Sequence, residues 1–158
     1  MAGARVLYLS TRPAPLEVAG AASDQPAFLW RMVGANNRPI GQAAVAYDDF
    51  PLCQAPVERV LQVTPLADFH LLIDLATGLW NWRLEWMNAV LAISSRAYQR
   101  QRECRYNADT FVALAPSAVI VPDVLHRTSS RVSARFSPQS RDFVSRPVPG
   151  VHLPASSR

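Results

Sequence analysis

The sequence predicts an α+β domain in which two tandem β-β-β-α units form a small antiparallel sheet with two helices on one face, followed by a disordered C-terminal tail. Three observations carry this reading. A pattern of rare residues in 28–61 recurs in 80–114. Within each copy the apolar period switches from about two residues to about 3.6, the change that separates strand from helix. Residues 117–158 then hold nine Ser and six Arg, with prolines that interrupt any period. The chain divides into a first unit at 1–66, degenerate and with a long loop at 11–27, a second unit at 67–116, and a flexible tail at 117–158.

Self-similarity at a fixed spacing marks a duplicated structural unit. Trp30-Arg31-Met32 falls on Trp82-Arg83-Leu84, and Asn36 on Asn88. With a one-residue gap, Ile40 meets Leu91, Ala46-Tyr47 meets Ala97-Tyr98, and Cys53 meets Cys104. The tyrosine precedes the cysteine by six residues in both copies. The chain has only 4 Trp, 4 Tyr and 2 Cys, so a single register that aligns all three types is not accidental.

The elements follow in order. "ARVLYLS" (Ala4–Ser10) reads as the opening strand of the first unit, and its counterpart is "DFHLLID" (Asp68–Asp74), closed by the turn-prone "ATG". Phe28, Trp30 and Met32 then alternate, as do Trp80, Trp82, Leu84 and Trp86. Each run breaks at asparagine, Asn36-Asn37 or Asn88-Ala89, a hairpin signal because Asn tolerates the positive φ of a tight turn. The return strands start at Ile40 and Val90. After the tyrosine, Cys104, Ala108, Phe111 and Val112 lie on one helical face, and Leu52, Cys53, Val57, Val60 and Leu61 do the same in the first copy. Asp48 or Asp49 supplies an N-cap there. Pro51 suits a first turn, but Pro56 does not suit a helix interior, so this helix begins late or is kinked. Two such units can pair edge strands and bury their Trp, Cys and Leu positions beneath both helices.

The pattern of strand, turn, then "W-x-W-R-L…N…V-L-A-x-S…Y…C" and a helix resembles the YegP-like family of small proteins of unknown function (the DUF1508/UPF0339 type). The likeness is better over 68–114 than over 4–63 and leaves the last 42 residues outside it. The family turn reads Asn-Gly, from which both copies here depart. The resemblance implies a compact α+β module, often dimeric, and implies no activity, cofactor or catalytic residue.

Composition narrows the function classes. The formal charge is +4, and all sixteen basic residues are arginine. Residues 1–116 carry ten Arg against ten acids, so the excess lies in 117–158. Abundant Ala, Arg, Pro and Val without lysine point to a GC-rich coding background, so the arginines are not read as selected for binding. The longest apolar stretch, Phe111–Leu125, is broken by Pro116 and Pro122 and falls short of the roughly 20 residues a spanning helix needs. The start of the chain lacks a signal-type apolar run, and a cytoplasmic location is expected.

Candidate chemistry is sparse. Cys53 and Cys104 form either a redox pair or two small apolar residues on buried helix faces, and the helical period favours packing. The histidines, His70, His126 and His152, show no ligand spacing, and neither a nucleophile elbow nor a phosphate loop is present. No catalytic residue, metal or cofactor is expected. Trp30, Trp80, Trp82 and Trp86 share one parity, with Arg31 and Arg83 on the other; they read as core or interface aromatics, against a base-stacking platform. Arg96, Arg100, Arg102 and Arg105 gather at the start of the second helix, where cations oppose the helix dipole and where the first copy has Asp48 and Asp49. They are a candidate anion site, weighed against a merely solvated helix face. The tail segment "RTSSRVSARFSPQSR" suits kinase recognition or weak polyanion contact. The expected function is a non-catalytic interaction or accessory module that pairs with itself as a homodimer, with no membrane partner. The alternative is weak nucleic-acid or polyanion binding through Arg96, Arg100, Arg102, Arg105 and the basic tail.

Overall fold

A computed structural model describes residues 3–11, 26–127 and 143–146. In chain order the elements are β1 (Arg5–Thr11), β2 (Ala27–Val33), β3 (Pro39–Gln42), α1 (Phe50–Gln54), α2 (Val57–Val63), β4 (Asp68–Asp74), β5 (Trp80–Trp86), β6 (Ala89–Ser94), α3 (Gln101–Leu114), β7 (Val119–Arg127) and β8 (Phe143–Arg146). Three strands followed by helix therefore occur twice, and each helical stretch ends in a 3₁₀ turn, Thr64–Leu66 or Ala115–Ser117. Each turn carries a proline, Pro65 or Pro116, which cannot continue the preceding helix.

The strands form one sheet of order β7-β1-β2-β3-β6-β5-β4, with β8 added beyond β4. The seam at its centre is the antiparallel pairing of β3 with β6, where Gln42 faces Ile93 and Gly41 faces Ser94. Gln42 and Ile93 occupy the same place in the two sequence copies, so the halves flank this pair with opposite strand directions. The fold class is α+β, with helices on one face of the sheet.

Three expectations are corrected. The sheet is mixed rather than antiparallel, because β7 runs parallel to β1, Arg5 facing Val119 and Thr11 facing Arg127. The tail does not begin at 117, since Val119–Arg127 is the strand β7. Pro122 had argued against a strand there. It falls where the register with β1 shifts, between the pairs Val6–Ile120 and Tyr8–Val124, on an edge strand where a missing N–H costs no ladder bond. The second hairpin turns one residue early, with positive φ at Met87 and Asn88 rather than at Asn88-Ala89, because Trp86 is still paired with Ala89. In the first hairpin Asn37 takes the positive φ. Residues 12–25, 128–142 and 147–158, most of the expected loop and tail, lie outside the described residues.

Pro56 interrupts the first helical stretch, as its lack of an N–H requires, and stands as the N-cap of α2. Beneath the helices, Trp30 and Trp82 are each only 1% exposed, and Cys53, Cys104, Met32, Leu84 and Phe111 are fully buried. Phe50 of α1 packs edge-on against Tyr8 of β1, with ring centroids 5.2 Å apart. Phe111 of α3 packs on Trp82 at 5.0 Å. Burial of side chains this large contributes on the order of 2–3 kcal/mol each before entropy is subtracted, which makes this layer the chief source of stability.

Candidate functional site

The site is built from two equivalent corners, one at the start of each helix. In the first, Phe28 and Tyr47 exchange backbone hydrogen bonds of 2.7 and 2.8 Å, and in the second Trp80 and Tyr98 exchange two of 2.7 Å. These bridges carry the chain from the return strand to the helix. The helix caps then adopt nearly the same backbone, Asp49 at φ −134° and ψ 137°, Arg100 at φ −120° and ψ 136°. Each cap carbonyl accepts a hydrogen bond from the cysteine four residues on, Asp49 from Cys53 at 3.1 Å and Arg100 from Cys104 at 3.2 Å. Neither cap side chain forms a capping hydrogen bond to its helix. One backbone frame therefore presents carboxylates to solvent at one corner and guanidinium groups at the other.

At the acidic corner Asp48 and Asp49 are exposed, beside the exposed side chains of Val45 and Leu52. Among the described residues neither aspartate forms an ion pair. At the basic corner the guanidinium of Arg96 lies 4.8 Å from the centre of the Tyr98 ring. Arg100 is paired only loosely with Glu103, at 3.9 Å, and Arg105 with Asp109, also at 3.9 Å. Arg102 is exposed and has no carboxylate partner among the described residues. Arg96, Arg100 and Arg102 are each exposed around the start of α3, and Arg105, half-buried, lies one turn into it. Tyr106, one turn beyond Arg102 and 76% exposed, is an element that the sequence reading passed over. Its signal was available: an aromatic side chain in α3 off the Cys104–Ala108–Phe111 face.

The four tryptophans separate. Trp30 and Trp82 lie wholly within the core, and the indole N–H of Trp82 donates to Asn107 Oδ1 at 2.7 Å. Trp80 and Trp86 are half-buried at the two ends of β5. Trp80 packs against the core that holds Trp30 and Trp82. The arginines of opposite parity are held by polar partners. Arg31 donates to Gln42 Oε1 at 2.9 and 3.2 Å, and Glu85 lies between Arg83 at 2.5 Å and His70 at 3.4 Å.

Both cysteines are free thiols in the core. Burial pushes Cys53 up to about 11 and Cys104 up to about 12, so at neutral pH both are protonated and unfit to act as nucleophiles. Arg102 and Arg105 beside Cys104 in sequence do not offset that burial. Among the described residues no three His, Cys, Asp or Glu side chains gather as metal ligands, and no helix is long and apolar enough to cross a membrane.

No family model matches the sequence, and no curated protein matches it. Two solved structures are similar in shape. One is the protein of unknown function yegP from E. coli, with a TM-score of 0.53 and 13% identity over 80% of this chain and 97% of that one. The other is the UPF0339 protein SO3888 from Shewanella oneidensis, with a TM-score of 0.52 and 13% identity over 78% of this chain and 92% of that one. At this identity the likeness speaks for architecture alone. The chain has the YegP-like fold.

Proposed function

We propose that this protein is a non-catalytic association module that works by presenting a surface to a partner, its own copy first. The observation that carries the reading is the pairing of exposed apolar with exposed charged side chains where each helix begins: Val45 and Leu52 with Asp48 and Asp49, Tyr106 with Arg102. Exposed apolar side chains among charged ones are available for a protein contact. The residues that could have carried chemistry, the two thiols and the central tryptophans, are occupied in packing.

A second reading is polyanion binding through Arg96, Arg100, Arg102 and Arg105 together with the basic tail. It is favoured by the exposure of Arg102 without a carboxylate partner among the described residues. Size-exclusion chromatography with light scattering, with and without RNA, separates the two. A dimer that ignores RNA supports the first reading. A monomer that co-elutes with RNA at low salt, and releases it steeply as salt is added, replaces it with the second. A monomer indifferent to RNA overturns both.

A further inference from the structure

We propose that residues 128–142 of this chain are seated on the sheet face turned away from the helices, crossing it from one edge strand to the other. Register fixes that face. Gly41 of β3 points to Phe111 of α3, so its neighbour Gln42 points the other way. Pairing then carries one row across the sheet from Gln42, through Arg31 on β2 and through Ile93 on β6, Arg83 on β5 and His70 on β4. Val33 and Leu72 lie two residues along from Arg31 and His70 and share the same face.

Three apolar side chains on this face are buried. Val33, Leu72 and Ile93 are 4%, 2% and 7% exposed, and all three stand outside the cluster packed under the helices. The polar members of the row are engaged with one another, Arg31 with Gln42, and Glu85 with Arg83 and His70. Apolar side chains enclosed to this degree need a further layer over them. Among the described residues the helices lie on the other face and do not supply it.

The path of the chain names the occupant. β7 and β8 stand at opposite edges of the sheet, seven strand spacings or roughly 34 Å apart. β7 ends level with Thr11, and β8 begins level with Asp74, at the other end of the strands. The link from Arg127 to Phe143 is thus a diagonal on the order of 40 Å, and a fully extended chain of that length reaches about 53–58 Å. A detour over the helices, each about 10 Å thick, adds roughly 20 Å and exceeds that reach. The open face lies within it. The sequence suits the seat: Val132, Ala134 and Phe136 alternate with Arg131, Ser133 and Arg135, so an extended segment offers an apolar side to the face and its arginines to solvent. This inference does not depend on the association reading, and it takes the face out of the surface open to a partner.

Trypsin cleavage of the full chain is the test, because Arg131 and Arg135 fall within the segment. Both sites are expected to be cut more slowly than in a free peptide of residues 126–143, by on the order of tenfold or more, at a rate that does not change on dilution. Val132→Asp with Phe136→Asp is expected to bring cleavage to the peptide rate while circular dichroism keeps the folded signal. The conservative pair Val132→Ile with Phe136→Leu retains the protection. Cleavage of the wild-type chain at the peptide rate overturns the inference. Protection that fades on dilution also overturns it and assigns the face to a second copy, and so does protection that the aspartates leave intact. If the aspartate pair loses the folded signal, Val132→Ser with Phe136→Ser takes its place and is held to the same outcomes.

Discussion

Gly41 of β3 lies directly beneath the indole of Trp82: a Cβ built on this glycine would stand 2.7 Å from Trp82 Cη2 and 2.6 Å from Phe111 Cδ2. The indole of β5 thus reaches the seam strand β3, where Gly41 faces Ser94 of β6, and Phe111 of α3 packs on it at 5.0 Å. Glycine is required by close approach, since neither ring can retreat within a packed core. Gly41→Ala is expected to destabilise the protein by roughly 1–3 kcal/mol, as overpacking does. Urea unfolding checks it, with Gly34→Ala as control, because a Cβ at Gly34 meets nothing nearer than 3.4 Å.

The β5–β6 turn offers the opposite outcome. Met87 holds φ at 49° and is 80% exposed, next to Asn88 at φ 64°. Two successive positive φ values describe the turn that favours Asn-Gly, and a methionine there bears a left-handed strain of roughly 1 kcal/mol. Met87→Asn is expected to stabilise the fold by up to about 1 kcal/mol, seen as a higher urea midpoint with an unchanged slope.

How far the sequence could be read depends on where each signal resides. β4 spans Asp68–Asp74 and β5 spans Trp80–Trp86, as read from the sequence, because alternation is a local property of the chain. Pro56 announced the break between α1 and α2 for the same reason. β7 was missed because its partner is β1, more than a hundred positions away, and because the bulge that accommodates Pro122 exists only against that neighbour. Gly41 was silent since its constraint is a ring supplied by another strand. At the candidate site the opposite charges at the two helix starts were visible in the aligned copies. That they occupy one backbone frame required the structure.

Asn107 sets a further test. Its Oδ1 accepts from the indole of Trp82 at 2.7 Å, and Trp82 is otherwise enclosed. Removing the acceptor strands a buried donor, a loss of about 1–3 kcal/mol. Asn107→Leu should therefore lower stability by that amount although it adds apolar volume and raises helix propensity. An unchanged urea midpoint would show that water reaches the indole instead.

The buried thiols predict a pH dependence with a definite sign. Burial raises Cys53 and Cys104 from 9.0 to about 11 and about 12, so the folded state holds its protons where the unfolded chain has released them. A group whose pKa is raised on folding contributes stability below its unfolded value and loses it as pH climbs toward its folded value. Stability should accordingly be level with respect to the thiols below about pH 8 and decline between the unfolded value of 9.0 and about 12. Tyr8, Tyr47 and Tyr98 are raised chiefly by burial as well and act in the same direction, so the thiol share must be isolated by substitution. Cys53→Ala with Cys104→Ala should lower stability at neutral pH through lost packing and flatten the alkaline decline. Alkylation follows the same logic: the folded chain should label slowly at neutral pH and the urea-unfolded chain rapidly. Fast labelling of folded Cys104 would mean that the thiol is not held in the core as its burial requires.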